Sequence, residues 1–208
     1  MLMKLVSEFV GTFFLVMTVG LTVLEPASAG AFAPIAIGLM LAVMIYATGH
    51  ISGGNFNPAV SLAVFLRGSL SFANLIGYWL AQFAAGALAA TLAVYIKGTS
   101  GSPQTLNVSH AFIAEALFTF ALCHVVLNVA TAKETAGNSY FGLAIGATVI
   151  AGAYSVGPIS GAVFNPSVSL GATMMNLSRF QDLWLYIVAQ FVGAVVAALI
   201  FKLWHPKT

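Results

Sequence analysis

His50-Ile51-Ser52-Gly53-Gly54-Asn55-Phe56-Asn57-Pro58-Ala59-Val60 is answered further along the chain by Gly157-Pro158-Ile159-Ser160-Gly161-Ala162-Val163-Phe164-Asn165-Pro166-Ser167-Val168. In each, an Asn stands before a Pro, a pair suited to cap a helix and to fill its first turn. A single Asn-Pro pair most often marks a surface turn. Two copies at an offset of 108, each behind a Ser-Gly pair in an apolar chain, argue against that reading. After Pro58 there are nine residues to Arg67 inclusive, and after Pro166 nine to Met175, so each segment offers about 13 Å of helix. Segments 50–67 and 157–175 are too short and too broken by Gly and Asn-Pro to cross a bilayer, and they read as re-entrant half-helices. End to end, two such halves roughly equal one hydrocarbon core of about 30 Å. Non-helical backbone at that depth is tolerated only when protein buries it or it lines a watery cavity. A polar path through the protein is therefore implied.

Around these elements the chain is 60% hydrophobic and only 6% charged, against about a quarter charged for a soluble domain. Its solvent is lipid. Six stretches are long and apolar enough to span, at approximately 5–24, 33–48, 72–95, 111–132, 140–156 and 183–203. The first is longer than a signal-peptide core and lacks a small-residue cleavage pattern, so it is expected to be retained. A repeat accompanies the Asn-Pro pairs. Tyr78-Trp79-Leu80-Ala81-Gln82-Phe83 matches Tyr186-Ile187-Val188-Ala189-Gln190-Phe191, and Ala36-Ile37-Gly38 matches Ala144-Ile145-Gly146, both at 108. Glu8 with Thr12-Phe13 matches Glu115 with Thr119-Phe120 at 107. Each copy holds three spans, an odd number, so the second enters the membrane inverted relative to the first. The expected fold is all-α: six transmembrane helices plus two re-entrant half-helices in an inverted 3+3 arrangement, one channel domain over 1–208 with repeats at approximately 1–100 and 108–208.

Inversion makes the two half-helices enter from opposite faces, with their positive N-terminal ends converging near the midplane. A cation or hydronium there meets an unfavourable field, whereas a neutral molecule can accept hydrogen bonds from the Asn57 and Asn165 amides. Basic residues give the orientation. With the N-terminus inside, Lys4, Arg67, Lys133, Lys202 and Lys207 are cytoplasmic, against Lys97 and Arg179 outside. Both termini are therefore expected in the cytoplasm, and the plasma (inner) membrane is the expected site.

The strings HISGGNFNPAV at 50–60 and GPISGAVFNPSVS at 157–169, with Glu8 and Glu115 opening each repeat, resemble the major intrinsic protein family of aquaporins and glycerol facilitators over essentially the whole chain. The resemblance implies a six-helix bundle, a pore in every protomer and a homotetramer. It assigns Asn57-Pro58-Ala59 and Asn165-Pro166-Ser167 to the pore motifs. It also places the outer constriction at Ile37, Ala153, Ala162 and Val168, where water-selective relatives put an Arg at the last position. Four apolar side chains imply a wider, drier filter that passes ammonia, urea, hydrogen peroxide or glycerol besides water, unless Tyr154 or His110 fills the space. Val at the Arg position also resembles some plant vacuolar members, and Ser169 stands where glycerol facilitators have Asp. Ser167 replaces the usual Ala and is expected to bond nearby backbone; Asn55 replaces a His of the family pattern.

Glu8 and Glu115 are expected to face the protein interior and to accept hydrogen bonds from the re-entrant loops. His50, at the approach to the first half-helix, either supports that loop or lines the inner mouth. His124, beside Cys123 in the fourth span, reads as packing. Neither cysteine nor histidine spacing offers a metal site, and no cofactor is expected. A net charge of +2 gives no nucleic-acid surface. No nucleophile, acid-base pair or phosphate loop suggests an enzyme. Sequons at Asn107 and Asn176 mean something only in a secretory pathway, and motifs this short are weak evidence. Two rivals to a channel stand at this point. An ion-coupled transporter would put charges at the broken helices, and none lies in 51–66 or 157–178; a closed-pore structural protein would need partner-binding termini, and 1–4 and 204–208 are short.

Overall fold

The computed structural model describes residues 1–99 and 102–206; Lys207, counted above among the basic residues, lies outside them. Eight α-helices follow in order: α1 (Leu2–Val23), α2 (Ala33–Ser52), α3 (Pro58–Arg67), α4 (Phe72–Lys97), α5 (Val108–Thr131), α6 (Phe141–Ser160), α7 (Pro166–Met174) and α8 (Leu183–Trp204). Among the described residues there is no strand. Six of the helices are long and apolar enough to cross a membrane, and α3 and α7 are the short ones. Six is even, so both chain ends share one face.

Two ends differ from the sequence expectation. Residues 50–52 still belong to α2, and α6 runs on through Pro158 to Ser160, so the non-helical loops are only 53–57 and 161–165. Glycine decides where those helices stop. Gly53 and Gly161 adopt left-handed φ of 96° and 87°, and their N–H groups close the last turns on Gly49 O and Gly157 O at 2.7 and 2.8 Å.

Each long helix buries one stripe and gives the rest to lipid. In α1 the buried positions are Ser7, Glu8, Gly11, Thr12, Leu15, Val16, Val19 and Gly20, a three-and-four spacing. The main packing pairs are α1 with α4, α5 with α8, α1 with α2, α5 with α6, α3 with α8, α4 with α7, and α2 with α6. Exchanging α1–α4 for α5–α8 turns that set into itself. At the centre of the α2–α6 crossing, a Cβ on Gly146 would strike Gly38 O, and one on Gly38 would sit 2.5 Å from Gly146 O. Only glycine permits this approach. Exposed aromatics ring both faces, with Tyr46, Tyr140 and Trp204 towards the chain ends and Phe32, Tyr95, Phe180 and Trp184 opposite.

Candidate functional site

Each half-helix starts as its Asn-Pro pair dictates. Asn57 Oδ1 accepts from Ala59 N at 2.8 Å and Val60 N at 3.4 Å, and Asn165 Oδ1 accepts from Ser167 N at 2.9 Å. Extended φ values of −157° and −154° place these Asn just outside their helices. With the oxygens committed to the caps, the amide nitrogens point across the centre. Asn57 Nδ2 donates to Phe164 O at 2.8 Å, and Asn165 Nδ2 donates to Phe56 O at 2.9 Å. Each loop is thus bonded to the other. An amide carries two N–H groups, and the second of each has no acceptor among the described residues.

The carbonyls of Phe56 and Phe164 reach these positions because their backbones sit in the left-handed region, at φ 49° and 50°. Such values are unfavourable for a bulky residue, and two buried carboxylates hold them. Glu8 Oε1 accepts from Asn55 N (3.0 Å) and Ser52 Oγ (2.7 Å), while Oε2 accepts from Phe56 N (2.7 Å) and Gln82 Nε2 (2.8 Å). Glu115 repeats this. Its Oε1 accepts from Val163 N (2.9 Å) and Ser160 Oγ (2.7 Å), and its Oε2 from Phe164 N (2.8 Å) and Gln190 Nε2 (2.9 Å). Tyr78 and Tyr186 add hydroxyl bonds to Ser52 O and Ser160 O at 2.6 and 2.7 Å. These tyrosines and glutamines were not singled out as loop supports from the sequence. Their signal was available: a Tyr and a Gln four residues apart in an otherwise apolar span, repeated in both halves.

Both Asn57 and Asn165 open on one cavity of about 470 Å³. Ile37, Ala153, Ala162 and Val168 line it too, as do Asn55, Gln104 and Leu122, and no charged side chain is among the described residues that do. Neither side chain suspected of filling the constriction enters it: Tyr154 is half exposed and donates its hydroxyl to Ala31 O at 2.7 Å, and His110 is exposed on the first turn of α5. Asn55 takes the place that Val163 holds in the second loop; its Nδ2 donates to Ser61 Oγ at 3.2 Å. His50 is exposed in the last turn of α2 and makes no hydrogen bond to the re-entrant loop, so the structure does not join it to the Glu8 support. Ser167 departs from expectation. Its Oγ is buried without a partner, because at the second position of α7 no helical carbonyl lies four residues back; Gly86 packs against the carbonyl and Cβ of the same residue. Ser169, two residues on, does find Asn165 O at 3.0 Å.

His124 stacks on Phe120 and meets the edge of Trp204, with ring centroids 5.6 and 4.9 Å away, which is a packing role. Cys123 is buried. Among the described residues no three His, Cys, Asp or Glu side chains come together as a metal site would require.

The sequence profile described as Major intrinsic protein matches residues 1–201. Among similar proteins, Aquaporin NIP3-1 of Arabidopsis thaliana is 37% identical over 219 residues, covering 96% of this chain and 67% of the relative. Nodulin-26 of Glycine max is 36% identical over 212 residues, covering 97% and 78%. Among solved structures, the aquaglyceroporin from Plasmodium falciparum superimposes with a TM-score of 0.80 over 97% of this chain and 95% of its own, at 21% identity, a likeness of fold.

Proposed function

The chain belongs to the major intrinsic protein family, and on that premise we propose that the cavity is the lumen of a passive channel for water and small neutral solutes that rejects ions and protons. One observation carries the reading: two Asn caps, bonded across the centre, open on one cavity lined, among the described residues, by no charged side chain. A molecule at the midpoint meets two N–H donors and the positive ends of α3 and α7, each equivalent to about half an elementary charge. A neutral solute oxygen is welcomed there, and a cation or hydronium is repelled. The relatives' names, aquaporin among them, agree with water as a permeant.

Ile37, Ala153, Ala162 and Val168 are the proposed constriction. Lacking an Arg, it admits ammonia, urea, hydrogen peroxide or glycerol besides water. Glu8 and Glu115 are proposed as supports that fix the loop carbonyls along the lumen. The functional unit is a homotetramer with one lumen per protomer, each protomer a single domain of two inverted repeats, approximately 1–100 and 108–208. Both termini face the cytoplasm, and the plasma (inner) membrane is its site. Among the described residues lining the cavity none is charged, so no side chain there is placed to couple transport to an ion gradient.

Stopped-flow measurements on proteoliposomes test this. Rapid water flux, measurable urea or glycerol flux, and no proton leak are expected, and Val168→Arg is expected to lower the urea and glycerol fluxes relative to water. Strict water selectivity in the parent would overturn the wide constriction, and uptake that saturates and follows a proton or sodium gradient would overturn the channel.

A further inference from the structure

Gln104 reaches the cavity from the connection between α4 and α5, outside either Asn-Pro loop. Three hydrogen bonds fix it. Its backbone N–H donates to Leu177 O at 3.1 Å, just past α7, and its side-chain Nε2 donates to Pro158 O at 2.9 Å and to Gly157 O at 3.5 Å, in the last turn of α6. Carbonyls only accept, so chemistry determines which way the amide faces: nitrogen to α6, oxygen away from it. Gln104 Oε1 lies 3.5 Å from the point a Cβ on Gly161 would occupy, next in sequence to Ala162. Among the described residues no N–H or O–H donates to that oxygen. Gly157, Gly161 and Ala162 line the same cavity.

The proposed constriction of Ile37, Ala153, Ala162 and Val168 offers no polar side chain of its own, so a solute entering it has shed water without replacement. We infer that Gln104 is a specificity-determining residue whose Oε1 is a fixed hydrogen-bond acceptor beside that constriction, selecting neutral solutes that bring donors, above all N–H groups. This rests on the wide, uncharged lumen proposed above. Its sign is the point. A cationic donor at the constriction would hold solute oxygens, whereas an acceptor holds solute hydrogens, which favours ammonia and urea over solutes that only accept.

The test compares the full-length parent with Gln104→Leu and Gln104→Met in proteoliposomes, reading water and urea by light scattering and ammonia by an internal pH dye. One hydrogen bond lost at the barrier lowers the urea-to-water and ammonia-to-water permeability ratios about three- to tenfold. Melting of each variant in detergent is recorded alongside, and Met, nearly the length of Gln, supplies the answer where Leu disturbs the loop. Were Gln104 merely a tie between loops, water and solutes would change together; a ratio unchanged in both variants overturns the assignment and leaves the channel reading standing. A parent that passes water but neither urea nor ammonia defeats the wide-lumen reading, and the assignment with it.

Discussion

Replacing Glu115 by Ala should unfasten the second re-entrant loop, and the structure says by how much. Four donors lose their acceptor: Val163 N, Phe164 N, Ser160 Oγ and Gln190 Nε2. Two of them can adapt, since the Ser160 hydroxyl rotates and Gln190 Nε2 keeps Ser169 Oγ at 3.0 Å. The two backbone N–H groups cannot move without giving up the left-handed φ of Phe164, whose carbonyl receives Asn57. At about 1–3 kcal/mol for each unpaired buried donor, the loss is about 2–6 kcal/mol, towards the low end if cavity water reaches Val163. For a chain of this size that lowers the melting temperature by roughly 4–24 °C. Glu115→Gln keeps one accepting oxygen and turns an NH2 towards the other amide, so it should fall about halfway. Thermal unfolding in detergent with water flux in proteoliposomes reads both effects. An Ala variant that melts within about 2 °C of the parent and conducts water normally would refute the claim that this carboxylate holds the loop.

Three further outcomes are expected. Ser167→Ala removes a buried hydroxyl without a partner and should raise stability by about 1 kcal/mol, seen as a higher melting temperature with water flux retained. Ala162→Gly relieves a left-handed φ of 54° at the position whose repeat mate is Gly54, at φ 64°, and should stabilise by about 0.5–1 kcal/mol after the added freedom of the unfolded chain is offset; an unchanged or lower melting temperature counts against strain there. Gly86→Ala would set a Cβ 2.8 Å from Ser167 O, pushing on the start of α7, so water permeability should fall several-fold, which light scattering measures.

Much of this architecture was legible in the sequence because the Asn-Pro pairs carry local rules that survive any context. A cap followed by Pro starts a helix wherever it is placed, and Asn57 and Asn165 do so. Glu8 and Glu115 could be assigned to loop backbone because a carboxylate inside an apolar span has few other uses. The Tyr78-Gln82 and Tyr186-Gln190 supports escaped, although their repeat was plain, because periodicity shows which residues share a helix face and not which distant loop that face meets. The helix end at Ser160 was misjudged since Pro158 reads as a breaker, while at Ser52 and at Ser160 alike the left-handed glycine just beyond decides the stop. The partnerless Ser167 hydroxyl was invisible for a different reason: satisfaction of a polar atom is settled by three-dimensional neighbours, which sequence spacing does not name.

The reciprocal bonds from Asn57 to Phe164 and from Asn165 to Phe56 make the midpoint a rivet between the two halves of the chain. Sliding or tilting one half would break both bonds together and unseat two carbonyls whose residues hold left-handed φ, so the centre is poorly built to act as a shutter. Any control of the passage therefore belongs away from the centre, where a movement would not loosen that fastening.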